Sequence, residues 1–312
     1  MNDFAILGAG ALGTVIGAKL SLAGFKVQLI ARNQEHIKNI NRNGLVFIEN
    51  GVRKVINILA GANTEALPAK HVIVLTKTHQ TRDAVMSIKG VMGPTCYWVS
   101  LQNGLGNGKE LTQCVAEIQI IDGVTMVPAT LDAPGQVSSH GESNTWVGPL
   151  TSSCSQTAKS LVKSFNQAKI NTEYADDVRV PIWQKACFNV AMNALCGLVS
   201  GSPGLLKAFP DGEQLAHEIA DEALKIALLE GVAIDPSKTH SMITMACSKH
   251  TFHRPSMLQD LQANRLTEIE ALNGYIQDRS EHWKTPTPLN KIILRLIRLR
   301  EQSPAFWSLN GK

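Results

Sequence analysis

The chain has 312 residues, 44% hydrophobic and 18% charged, ordinary for a soluble globular protein and long enough for two domains with separate cores. Its net charge of +4 comes with lysines and arginines scattered along the chain, which argues against a dedicated nucleic-acid binder and suits a small anionic substrate or a phosphorylated cofactor. Cys96, Cys114, Cys154, Cys187, Cys196 and Cys247 form no Cys-x-x-Cys pair and no zinc-ligand spacing, so no metal is expected and reduced thiols in the cytoplasm are the simplest account. With no basic n-region or cleavage-like site before the first apolar strand, no signal peptide is expected, and no apolar run approaches the roughly 18–20 residues of a membrane helix.

Phe4–Leu7 reads as a short buried strand, followed at once by Gly8-Ala9-Gly10-Ala11-Leu12-Gly13. A helix from Val15 to Ala23, closed by Gly24, and a strand from Lys26 to Ile30 complete a βαβ unit with Gly-x-Gly-x-x-Gly in its turn. Gly8 allows the tight turn, Gly10 lets the backbone approach a pyrophosphate, and Gly13 lets helix and strand pack closely. The helix N-terminus offers N–H groups and a positive dipole end to phosphates. Residues 8–13 are therefore cofactor candidates, against the alternative of a simple tight turn. The second strand ends in Ala31-Arg32-Asn33, without the acid that an NAD-specific site uses for its ribose. Arg32 would pair instead with a 2′-phosphate, so the cofactor is expected to be NADP (NADPH); the alternative is an exposed surface arginine.

Leu45–Ile48 and Val52–Ile56 flank Asn50-Gly51, a hairpin signal. His71–Leu75 and Tyr97–Leu101 read as buried parallel strands, with Lys77 and Asn103 at their carboxyl ends, where open α/β sheets bind ligands. By position alone each could equally be a loop residue. Ile118–Ile121 is another strand. Gly135–His140 and Asn144–Gly148 look like antiparallel strands joined by a turn and finishing the sheet, with His140 a turn or strand-end residue. A helix from about Ser155 to Ala168 and a strand near Asn171–Tyr174 end an α/β Rossmann-type N-terminal domain, residues 1–175.

From Val178 on the pattern is helical, a second, all-α C-terminal domain of residues 176–312. Trp183–Asn193 is apolar nearly all round, yet Lys185, Asn189 and Asn193 recur every four residues. At 3.6 residues per turn they form one stripe about 12 Å long. An unpartnered buried ammonium is costly, so the stripe should face a cavity, an acid or an anionic ligand. A solvated helix edge is the plain alternative; it is less favoured because the stripe is almost the only polar surface this helix has. Leu215, Ile219, Ala223 and Ile226 make an apolar stripe on a helix stopped by Gly231 and Pro236. Ser256-Met257-Leu258-Gln259 reads as a capping box opening a helix through Ile276. Glu268 on that helix could reach the same interior as Lys185, although on spacing alone it reads as solvated and Ser256 as a mere cap. Leu289–Leu299 is a basic amphipathic helix, better read as a solvated face than as a membrane binder. The tail from Glu301 to Lys312 is expected to fray.

Taken together, these segments resemble the ketopantoate reductases (2-dehydropantoate 2-reductases) over nearly the whole length. The resemblance rests on Gly-Ala-Gly-Ala-Leu-Gly, Lys77-Thr78-His79-Gln80, Gln102-Asn103-Gly104, the expected Gly135–Gly148 hairpin, Trp183-Gln184-Lys185 with Asn189 and Asn193, Ser256–Asp260 and Thr267–Glu270. It implies a Rossmann-type domain for NADPH and a helical domain for a small 2-oxo acid, and the reduction of 2-dehydropantoate to pantoate on the way to pantothenate and coenzyme A. It further implies that Lys185 is the catalytic lysine, that Asn189 and Asn193 contact substrate, and that Ser256 holds the substrate carboxylate. Glu268 would be catalytic alongside Lys185 and help order cofactor and substrate, and Lys77 and Asn103 would lie near the nicotinamide, with Asn103 also on the substrate. The chain departs from the family's Asn-Pro-Leu-Thr at Asn193-Ala194-Leu195-Cys196, and a further family asparagine falls on Pro203. Two rival readings follow: a reductase of the same architecture acting on another branched 2-oxo acid, and a non-catalytic dinucleotide-binding sensor or interaction protein. Neither nucleic acid nor membrane is an expected partner. The oligomeric state is left open, with a homodimer among the options.

Overall fold

The computed structural model describes residues 1–141 and 143–310. The chain divides into two compact units. The first is Met1–Gln102 with Asn107–Val178; the second is Asn103–Gly106 with the chain from Arg179 onward. The sequence pattern suggests one boundary, between residues 175 and 176, and gives no sign that four residues of a Rossmann-type loop group with the helices.

The first unit opens β1 (Asn2–Leu7), α1 (Ala11–Leu22), β2 (Val27–Ile30), α2 (Gln34–Asn43), β3 (Leu45–Glu49), β4 (Val52–Ile56), β5 (Leu59–Gly61) and β6 (Ala69–Val74). It continues through α3 (Thr81–Met92), β7 (Tyr97–Ser100), α4 (Asn107–Leu111), β8 (Ile120–Thr125), β9 (Thr130–Ala133), β10 (Gln136–Ser139), β11 (Thr145–Pro149), α5 (Ser155–Gln167) and β12 (Thr172–Tyr174). Eight strands form one sheet in the order β12-β11-β8-β7-β6-β1-β2-β5. Only the β11–β8 pairing is antiparallel. The central strands are continuous apolar runs because helices cover both faces. Successive residues of β1 show this: Phe4 and Ile6 join the core under α1 and α5, whereas Ala5 and Leu7 join the core under α3 and α4. The chain winds outward from β1 in both directions, so the topological switch lies between β1 and β6, where α/β sheets place their ligands.

A second sheet, β4-β3-β10-β9, carries the expected Asn50-Gly51 hairpin; both turn residues have positive φ (48° and 82°), as a two-residue hairpin turn requires. The expected hairpin between residues 135–140 and 144–148 does not form. Instead β10 pairs in parallel with β3, and β11 joins the large sheet beside β8. Val137 packs with Leu45 and Phe47, and the buried hydroxyls of Thr125 and Thr145 lie 2.7 Å apart across β8 and β11. Partners far away in sequence thus outcompete the neighbouring strand.

The second unit contains α6 (Arg179–Leu198), α7 (Pro203–Ala208), α8 (Pro210–Leu229), α9 (Pro236–Lys249), α10 (Ser256–Gln262), a π turn (Glu270–Gly274), α11 (Tyr275–His282) and α12 (Pro288–Asn310). Pro203, Pro210 and Pro236 each open a helix, where a fixed φ and a missing N–H cost nothing. The core gathers on α6 and takes Ile219, Ala223 and Ile226 from α8, as their spacing predicts. The single helix expected from Ser256 to Ile276 is broken after Gln262: Asn264 takes a positive φ of 51°, and the Thr267 hydroxyl accepts from the Ile269 N–H at 3.1 Å to restart the chain. The capping box is absent. Ser256 is the first helical residue rather than the cap, Pro255 precedes it, and the Gln259 amide donates to the Arg254 carbonyl at 2.8 Å. The tail expected to fray continues as α12 to Asn310, and Glu301 accepts the Thr267 N–H at 2.8 Å; Gly311 and Lys312 lie outside the described residues.

Candidate active site

The sequence candidates fall into two groups, one in each unit. In the first unit, the turn after β1 begins at Gly8, with φ at +97°. A Cβ there would stand 2.5 Å from the backbone nitrogen of Thr76, so the strand ends of β1 and β6 meet only because Gly8 has no side chain. Gly13 allows a second close approach, since a Cβ would lie 2.5 Å from the Gly8 carbonyl oxygen. Around Gly10, the N-cap of α1, the space is open: a Cβ would meet no atom within 4 Å. Open space in front of a helix N-terminus suits an approaching phosphate.

Lys77 follows β6 and is partly buried. Arg32 follows β2, is exposed, and donates through Nη2 to Gln80 Oε1 at 2.8 Å. Gly8–Gly13, Lys77 and Arg32 therefore cluster at the carboxyl ends of adjacent strands β2, β1 and β6. Two glutamines join this end of the sheet that the sequence marks only as parts of motifs, Gln80 and Gln102. Gln102, 4% exposed, donates to the Thr76 carbonyl and to the Thr81 hydroxyl, both at 2.7 Å, and ties the end of β7 to the turn carrying Lys77.

In the second unit, Lys185 and Asn103 meet. The Lys185 ammonium donates to Asn103 Oδ1 at 2.5 Å. The residues after Asn103 pack against the π turn and Tyr275. Gly104 has φ +93° and a Cβ there would lie 2.7 Å from that of Ala271, while the Leu105 N–H donates to the Ala271 carbonyl at 2.8 Å. Burial pulls the Lys185 pKa down to about 8, and the Glu268 carboxylate pulls the other way. Asn189 and Asn193, 6% and 8% exposed, continue the stripe along α6. The Asn193 amide donates to the Ser256 hydroxyl at 3.4 Å, so Ser256 enters the cluster by a side-chain contact rather than as a helix cap. Lys185, Asn103, Glu268, Asn189, Asn193 and Ser256 thus share one unit, although Asn103 is 82 residues from Lys185 in sequence. Among the described residues no group of three or more His, Cys, Asp or Glu could hold a metal ion, and no helix is long and apolar enough to cross a membrane. All six cysteines are free and buried.

A doubly wound sheet with a glycine-rich turn at its switch point, followed in the chain by a helical unit in which a partly buried lysine is hydrogen-bonded to an asparagine, defines a Rossmann-type nucleotide-binding protein. The model of the family Ketopantoate reductase PanE/ApbA matches residues 4–152, and that of Ketopantoate reductase PanE/ApbA C terminal matches residues 177–301. The chain belongs to the ketopantoate reductase family. A 2-dehydropantoate 2-reductase of Streptococcus pyogenes serotype M3 is 32% identical over 298 residues, covering 95% of this chain and 97% of its own. Among solved structures, a D-mandelate dehydrogenase with NADH and anilino(oxo)acetate superposes with a TM-score of 0.92 at 27% identity, over 96% of this chain and 98% of that one. A putative 2-dehydropantoate 2-reductase from Enterococcus faecalis superposes at 0.75 with 30% identity, over 97% and 99%.

Proposed function

We propose that the protein is an NADPH-dependent reductase converting 2-dehydropantoate to pantoate, a step in pantothenate and coenzyme A synthesis. The observation that carries this reading is Lys185, an ammonium on an apolar helix, hydrogen-bonded to Asn103 and poised near pH 8. The glycine turn and the open space at Gly10 fit a pyrophosphate, and Arg32, with no carboxylate beside it at the end of β2, fits a 2′-phosphate. NADPH bound there supplies the hydride for C2 of the 2-oxo acid.

Lys185 acts as negative charge grows on the carbonyl oxygen: the ammonium stabilises that charge and delivers the proton that completes the alcohol. Asn103 Oδ1 accepts a hydrogen bond from the ammonium and so fixes the direction in which the amine points. Asn189, Asn193 and Ser256 offer amide and hydroxyl donors to the carboxylate. Glu268 favours the charged amine in surroundings that otherwise favour the neutral one. The free, buried thiols fit a reducing compartment, and the reading places the protein in the cytoplasm.

A pH profile follows. The reductive direction needs the protonated amine, so kcat for reduction is expected to fall as pH rises through about 8; oxidation of the alcohol needs the neutral amine and should rise over the same range. Glu268→Gln removes the group that raises the lysine pKa, so the falling limb should move to lower pH. A limb that stays in place denies Glu268 this influence.

A second reading, reduction of another 2-oxo acid, is favoured by the D-mandelate dehydrogenase neighbour and by Cys196 and Pro203 where the family pattern differs. Following NADPH consumption with 2-dehydropantoate and a panel of branched and aromatic 2-oxo acids separates the two. The first reading requires 2-dehydropantoate to give the highest kcat/KM; an aromatic acid in that place selects the second, and turnover of none leaves a nucleotide-binding protein without catalysis.

A further inference from the structure

We propose that His36 is a positioning residue for the cofactor turn, holding the Ala9–Gly10 peptide through Thr14 in the orientation that receives a dinucleotide pyrophosphate. This rests on the reading that Gly8–Gly13 takes NADPH. His36 lies in the first turn of α2 and is 1% exposed; Thr14, on α1, is fully buried. The backbone N–H of Gly135, between β9 and β10, meets His36 Nδ1 at 2.9 Å. A backbone N–H can only donate, so Nδ1 accepts, and the neutral ring carries its proton on Nε2. Nε2 faces the Thr14 hydroxyl at 3.2 Å, and that hydroxyl donates to the Ala9 carbonyl at 3.2 Å. Every donor in this chain has one acceptor, and the direction runs one way, from Gly135 through His36 and Thr14 to Ala9.

The Ala9 carbonyl shares its peptide plane with the Gly10 N–H, which donates to the Gly8 carbonyl at 2.8 Å. Both ends of the plane are thus held before any ligand arrives, which removes an ordering cost from binding. The far end of the chain is anchored as well. Gly135 has φ +82°, and a Cβ there would stand 2.8 Å from that of Asn39, so the turn between β9 and β10 is pressed onto α2. The small sheet, which no sequence feature connects with the nucleotide, therefore ends in a donor that serves the nucleotide turn. Burial holds the His36 pKa below its ordinary value, in keeping with the neutral ring this geometry needs.

The experiment measures the NADPH dissociation constant by fluorescence titration, and steady-state kinetics, for the wild type, His36→Phe, Thr14→Val and His36→Gln. His36→Phe keeps bulk and removes both polar contacts; Thr14→Val removes only the hydroxyl; His36→Gln keeps an N–H that can reach Thr14. The first two are expected to weaken NADPH binding about tenfold and raise its KM in proportion, with the 2-oxo acid KM, and kcat at saturating NADPH, unchanged. His36→Gln should recover most of the affinity. Wild-type binding of NADPH with Thr14→Val binding equally well overturns the inference alone. Uniform loss of every kinetic parameter together with the melting temperature also overturns it, as a merely structural role would. Failure of the wild type to bind NADPH overturns the reading of the turn, and the inference with it.

Discussion

Lys185→Ala should lower kcat for reduction by roughly 10³-fold, the usual worth of a positioned general acid that also stabilises an oxyanion. The NADPH dissociation constant should stay within about twofold, because the glycine turn, Arg32 and Lys77 belong to the first unit and keep their own contacts. The fold should hold as well. Alanine fits an apolar helix, and Asn103 loses one hydrogen bond, a cost of about 1–3 kcal/mol if its carbonyl finds no other donor. Stopped-flow measurement of a single turnover, with binding followed separately, distinguishes lost chemistry from lost affinity. A variant with near wild-type turnover would show that the ammonium only fills space beside Asn103, and that the proton comes from elsewhere. Lys185→Arg is expected to rescue poorly: guanidinium carries the charge but stays protonated far above pH 8, so it can stabilise the oxyanion without readily giving up its proton.

How far such roles are visible in the sequence depends on whether the signal is local. The glycine spacing is legible because Gly8 and Gly13 answer steric demands within a few residues of chain or on the adjoining strand, as the Gly8–Thr76 approach shows, while Gly10 leaves open space. The Lys185, Asn189 and Asn193 stripe is legible because helical periodicity alone puts the three on one face. Partner choice at long range is not legible. Nothing in Gln102-Asn103-Gly104 says that the chain leaves one unit and joins the other for four residues; that follows from room beside Ala271 and Tyr275, which only the assembled helices create. The strands β10 and β11 escape a sequence reading for the same reason, since a short link between two strands suggests a hairpin until better partners exist elsewhere. Ser256 belongs to the cluster, but not for the reason its sequence suggests. Its helix is not capped by it, yet its hydroxyl still meets Asn193.

Arg32→Glu should reverse the cofactor preference, lowering the ratio of kcat/KM for NADPH over NADH by about 10²–10³-fold. Two effects add. A 2′-phosphate loses a charge-assisted contact worth about 1.5–3 kcal/mol, and it then faces a carboxylate of its own sign. The same carboxylate can accept from the ribose hydroxyls of NADH, as the acid of an NAD-specific site does. The guanidinium donates to Gln80 Oε1, so Gln80→Ala supplies a control: it releases Arg32 from that hydrogen bond without altering its charge. If that contact aims the guanidinium, Gln80→Ala should raise the NADPH KM and leave the NADH KM unchanged. Running NADPH and NADH side by side on the three proteins decides the matter. An unchanged ratio in Arg32→Glu would make Arg32 an exposed surface arginine, and discrimination between the nucleotides would then have to come from the turn beside Lys77 or not exist at all.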